Sequence, residues 1–272
     1  MNVSAPLIHY RETVGGASDR VCKTVSGNGR NAVAITAEPL REDLVVDIEK
    51  GAVSLSGPQA AQLLSGQYGW DGATAAKLWG FSESNCVVNF TPETDDAVRS
   101  AVLGALERLA ARGVLCGEPM RGVRFNVVEL SVHPQHRSPK HLADCVENAL
   151  SAAFLCARPT LLEPINLVEI QTEGSVVGNI YAVIAEEQGE VISEGPLRGT
   201  PIMKLCAHVP ASRCHNITSR LRAATSGRAF PSFGLYHWEA IKDSALSNQI
   251  ILDVRRRNQL PLHVPLLEQF LK

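Results

Sequence analysis

Residues 125–132 alternate and are rich in Val and Leu, which predicts a strand. Leu142, Val146, Ala149, Ala153 and Cys156 recur at helical spacing, which predicts a helix that runs to Arg158 and stops at Pro159. Between the two patterns, Pro134 and Pro139 bracket a short polar stretch with His133, His136, Arg137, Lys140 and His141 in and around it. A strand, a polar and basic tip and a helix push donors into solvent on a rigid base, an arrangement that suits binding more than catalysis. Upstream, strands are expected at 7–13, 20–25 and 32–37. The last two are joined by a loop with Asn28-Gly29 at its centre, the signal of a type I′ hairpin turn. Helices follow at 40–53, 58–68 and 72–78, then a strand at 86–90. Thr91 is placed to cap a further helix with Pro92 in its first turn, the apolar stripe Val98, Val102, Ala105 and Leu109, and Gly113 at its end.

Beyond Pro164 the rhythm changes. Strands at 165–171, 190–193, 202–209 and 230–238 alternate with helices at 175–186 and 216–225. In the first of these helices Val177, Ile180, Tyr181 and Ile184 are expected to face inward. The order β-α-β-β-α-β is the split plan of the ferredoxin-like fold. A last helix at 247–254 precedes Arg255-Arg256-Arg257. Those arginines either satisfy a helix C-terminus or form a phosphate-contacting patch.

Composition narrows the chemistry. A chain of 272 residues with 45% hydrophobic and 20% charged residues is expected to be soluble, with one large or two modest domains. A net charge of −2 gives no global pull on nucleic acid, so RNA contact would need a local patch, and no DNA partner is expected. No apolar run is long enough for a transmembrane helix, and the first residues lack a signal-peptide layout, so a cytoplasmic location is expected. Seven cysteines without CxxC pairs fit reduced thiols. No Gly is followed by Lys, so the phosphate-binding P-loop pattern is unmet. The three tip histidines lack a neighbouring Cys and sit among prolines, so no metal site is expected. Cys145 with His141 could form a nucleophile pair, but Cys145 borders the apolar stripe and reads as an inert thiol. Glu163 and Glu169 read as structural ion pairs. No catalytic residue is expected, and the chain reads as a non-enzyme.

Several stretches resemble eukaryotic translation elongation factor 2: Tyr10-Arg11-Glu12-Thr13-Val14, Tyr68-Gly69-Trp70-Asp71, Lys77-Leu78-Trp79, Met120-Arg121-Gly122-Val123-Arg124-Phe125, Glu163-Pro164, Leu167-Val168-Glu169-Ile170-Gln171, Gly199-Thr200-Pro201, Ala229-Phe230-Pro231 and His237-Trp238. The matches occur in order and cover the last third of that family's architecture. The resemblance implies an α+β chain of two domains. One is a domain IV with a ribosomal-protein-S5-like fold over 1–162, completed by a C-terminal helix within 241–272 that packs back on it. The other is a ferredoxin-like domain V over 163–240. It further implies a divergent paralogue without the family's GTPase domain, and hence without the GTP and magnesium that domain binds. The tips expected near ribosomal RNA are Asn28, Arg30 and Asn31 on the first hairpin and His133, His136, Arg137 and Lys140 on the second. His136 matches the position of the family's diphthamide. Ser138, Pro139, Lys140 and His141 replace the glycines and glutamine that follow it in the family, so His136 is expected to be unmodified. The implied role is a ribosome-associated elongation module, with a separate GTPase-bearing chain as a further candidate partner. The alternatives are a scaffold in another ribonucleoprotein, spliceosomal or ribosome-maturing and then nuclear, and a paralogue that binds nothing.

Overall fold

The computed structural model describes residues 7–52, 58–133 and 139–271. Its elements, in order, are β1 (Arg11–Val14), β2 (Cys22–Val25), β3 (Ala32–Pro39), α1 (Glu42–Glu49), α2 (Pro58–Gln67), α3 (Gly72–Ala75), β4 (Leu78–Ser82), β5 (Asn85–Asn89), α4 (Asp96–Ala111), β6 (Val123–Ser131) and α5 (Pro139–Cys156). There follow β7 (Pro159–Glu173), α6 (Val177–Glu186), β8 (Glu190–Pro196), β9 (Ile202–Pro210), α7 (Ile217–Thr225), β10 (Phe230–Ala240) and α8 (Ser244–Arg257). The described residues form two compact units, 11–161 with 242–271 and 7–10 with 162–241.

The larger unit is built on a five-stranded sheet ordered β2-β3-β6-β5-β4. Only β5 and β6 run parallel; the other neighbours are antiparallel. Every residue of β5 is buried, as a strand covered on both faces requires. Helix α4 packs on β4 and β5, α5 packs on β2 and β3, and the two helices pack on each other. Their buried stripes are rich in alanine: Ala101 and Ala105 on α4, Ala149 and Ala153 on α5. A smaller core gathers Leu44 and Ile48 of α1, Leu64 of α2 and Ala75 of α3 around Tyr68.

Several elements differ from the sequence expectation. The helix predicted over 72–78 is only one turn, because Leu78–Ser82 pairs with β5 as a strand. Helix α4 is capped by Asp95, whose carboxylate accepts the Ala97 N–H at 2.8 Å, and not by Thr91. Thr91 is drawn into a turn by Asn89, whose Oδ1 accepts from the Thr91 N–H at 3.0 Å and hydroxyl at 2.7 Å. Gly113 does follow the end of α4, but its smallness serves another purpose. A Cβ there would lie 2.2 Å from a carboxylate oxygen of Glu12.

The smaller unit has strand order β10-β7-β9-β8, all antiparallel, with α6 and α7 contributing to one core. That is the ferredoxin-like arrangement. Val168 and Ile170 of β7, Leu205, Ala207 and Val209 of β9, Ile180 and Ile184 of α6 and Leu221 of α7 fill it. Tyr181 does not face inward as expected. It is exposed, donating its hydroxyl to Glu194 at 2.7 Å, and Val183 takes the buried place.

Helix α8 returns to the larger unit. Asp243 caps it, accepting from the N–H groups of Ala245 and Leu246. Arg255 is buried and donates to the carbonyls of Val114, Leu115 and Pro261. Arg257 pairs with Glu118 at 2.7 Å, and Asn258 donates to the Cys116 carbonyl at 2.9 Å.

Candidate functional site

The first tip is the loop between β2 and β3. Ser26 organises it: its N–H donates to the Asn31 carbonyl at 2.8 Å, and its hydroxyl accepts from the Asn31 N–H at 3.0 Å. The Gly29 N–H returns to the Ser26 carbonyl at 2.7 Å, closing a turn in which only Gly29, at φ +68°, is left-handed. The hairpin forms as the sequence predicts, but not through a type I′ turn, which would need positive φ at Asn28 as well. The Asn28 side-chain oxygen accepts from the Ser26 hydroxyl at 2.7 Å and the Arg30 N–H at 3.1 Å, so it is committed within the loop. Arg30 is exposed at the tip.

Strand register brings the end of β6 alongside. Ala32 pairs with Ser131, so the chain leaving β6 passes the foot of the first loop. There the Asn31 side-chain oxygen accepts from the His133 N–H at 3.0 Å. Asn31, expected among the contact residues, is buried, and its side-chain oxygen serves as a strut at the foot of the loop. His133 is exposed. His136 and Arg137 lie outside the described residues. Lys140 falls in the first turn of α5, and its side chain lies outside them as well.

Other candidates resolve into structural roles. The Cys145 thiol is buried against Thr24, and burial raises its pKa, as suits an inert sulfur. Glu169 pairs with Lys204 at 2.9 Å. Glu163 instead accepts the backbone N–H of Ser212 at 3.0 Å. The terminal arginines are each engaged within the larger unit. Arg255 is buried on backbone carbonyls, Arg256 pairs with Asp253 and Arg257 with Glu118. Among the described residues no group of three or more His, Cys, Asp or Glu side chains is placed to hold a metal ion.

Two charged residues of the matched motifs prove to be internal fasteners, which their sequence alone did not reveal. Glu12 is fully buried, and its carboxylate accepts the N–H groups of Leu115, Cys116, Gly117 and Glu118 at 2.8–3.2 Å. Burial raises its pKa above the ordinary carboxylate value, while the backbone donors pull the other way. Arg121 is buried and forks onto Glu42 and Glu49 of α1 at 2.8–3.0 Å.

With this geometry in place, two family models match the chain in succession. The one described as elongation factor G, domain IV, covers residues 53–158, and the one described as elongation factor G C-terminus covers residues 160–249.

Proposed function

This chain carries a domain IV and a C-terminal domain of the elongation factor G family, and from that premise we propose that it is a ribosome-associated module that presents its two tips to ribosomal RNA. The observation that carries the reading is that Asn31, at the foot of the loop that carries exposed Arg30, accepts the N–H of His133 just past the end of β6. The motifs around Tyr10–Val14, Met120–Phe125 and His237–Trp238 point within the family to eukaryotic elongation factor 2. In this reading the contacts are those of a translocating factor during elongation. The chain supplies contacts in the cytoplasm and no chemistry of its own, and nucleotide turnover belongs to a GTPase domain or chain.

Sedimentation with ribosomes over a salt series tests this. Each phosphate contact adds roughly one unit to the log–log salt slope. Changing Arg30, Arg137 and Lys140 together to Ala weakens association and flattens its salt dependence, while the unfolding midpoint hardly moves. Undiminished association of the triple variant at low salt removes the tips from the binding surface.

One sequence observation favours a second reading, a scaffold in another ribonucleoprotein. Asp144 and Glu147 stand where the family places arginines, and Glu147 is paired with Arg108 at 3.0 Å. Co-migration with a nuclear ribonucleoprotein instead of ribosomes supports it.

A further inference from the structure

Away from the tip, β2 and the last turn of α5 bring two thiols together. Cys22 on β2 and Cys156 at the end of α5 are 134 positions apart in sequence, yet their Sγ atoms are 3.4 Å apart. The elements that carry them are fastened independently. The Thr24 hydroxyl donates to the Cys145 carbonyl at 2.8 Å, the Ser18 hydroxyl to the Ala153 carbonyl at 2.9 Å, and the Asp19 N–H to the Cys156 carbonyl at 3.2 Å. The last two bonds lay the chain before Arg20 across the end of α5.

The two sulfurs have unequal surroundings. Cys22 is fully buried, and burial first, then the neighbouring Cys156, pushes its thiol up to about 12. Cys156 is half-buried, and the exposed Arg20, two residues before Cys22, lies near its sulfur. The thiolate is the form that reacts with peroxides, and a guanidinium stabilises negative charge on an adjacent sulfur. One accessible sulfur beside a cation, with a second sulfur behind it, is the arrangement of an attacking and a resolving thiol.

We propose that Cys156 and Cys22 form a peroxide-responsive pair that closes to a disulfide tying β2 to the end of α5. In the first step the Cys156 thiolate attacks one oxygen of hydrogen peroxide. The S–O bond forms, the O–O bond breaks, and hydroxide leaves and is protonated to water. Cys156 is now a sulfenic acid. In the second step the Cys22 sulfur attacks the Cys156 sulfur. The S–S bond forms, the S–O bond breaks, and the hydroxyl departs as water with the Cys22 proton. Two thiols are oxidised and one peroxide is reduced to two waters. The sulfurs close from 3.4 Å to a bond of about 2.05 Å.

The test uses the full chain, reduced, exposed to hydrogen peroxide, quenched with N-ethylmaleimide and mapped without reduction. A Cys22–Cys156 linked peptide accumulates roughly ten-fold faster than oxidation of Cys206 or Cys214, the other half-buried cysteines, and dithiothreitol reverses it. In Cys22→Ser, dimedone traps the sulfenic acid at Cys156. Arg20→Gln changes an exposed residue, leaves the fold intact and slows linkage several-fold. Absence of the linked peptide while Cys206 or Cys214 oxidises overturns the proposal, as does unchanged linkage in Arg20→Gln.

Discussion

At the scale of single residues, the most exacting position in the larger unit is Glu12. A carboxylate removed from water is costly unless its oxygens are satisfied, and here four backbone N–H groups converge on them. The arrangement works only because Gly113 lets the carboxylate approach the chain. Glu12→Gln keeps the shape but replaces one acceptor with a donor facing N–H groups, leaving polar groups unpaired in a buried place. We expect a loss of about 3 kcal/mol in urea unfolding. A loss below about 0.5 kcal/mol would show that the loop of residues 113–118 is held from elsewhere. None of this was legible in the sequence. Glu12 stands in a strand among buried neighbours, and nothing local distinguishes a buried acceptor of backbone bonds from a solvated carboxylate. The same is true of Asn31, which reads as a polar tip residue and is an internal strut.

At the scale of elements, periodicity revealed what packing enforces. The alternation in β7 and β9 and the helical stripes of α4 and α5 are tertiary burial written into the chain, so these elements were readable. Boundaries were less so, because local competition decides them: Asn89 captures Thr91 in a turn and leaves the cap to Asp95. Strand β4 was missed because Leu78–Ser82 is short and follows a real helical turn, and its identity comes from pairing with β5. The sheet of the smaller unit also makes a pH prediction. His208 of β9 stacks on Tyr236 of β10 at 4.4 Å and meets His237 edge-on at 5.2 Å. Its pKa is lowered, by burial first and then by His237, against the pull of Glu190 on β8 and Glu239 on β10. A base with a depressed folded pKa binds fewer protons folded than unfolded. Its contribution is therefore fully present above the unfolded value of about 6.5 and is lost as pH falls through that value toward the folded pKa. We expect the smaller unit to unfold more readily at about pH 5.5 than at about pH 7.5. His208→Phe, which keeps an aromatic ring against Tyr236, should shrink that difference. An identical pH response in the variant would assign the effect to other groups.

At the scale of the whole molecule, the larger unit is assembled from segments on either side of the smaller one in sequence. The loop of residues 113–118 is held by Glu12 before it in sequence and by Arg255, Arg257 and Asn258 after it. The smaller unit has a core wholly its own within residues 162–241. Deleting residues 242–272 should therefore leave amide protection in the smaller unit intact and abolish it at residues 113–118. Retained protection there would show that α8 is dispensable. The order of synthesis gives this topology a further consequence. A nascent chain emerges from its N-terminus, so residues 11–161 appear first, then the 80 residues of 162–241, and α8 only afterwards. At roughly 5–20 residues per second, the early segment waits on the order of ten seconds for the arginine that meets the carbonyls of Val114 and Leu115. Meanwhile the later segment has enough chain to fold by itself. The unit begun first is completed last, and the interval is one in which a chaperone or a protease finds an incomplete core.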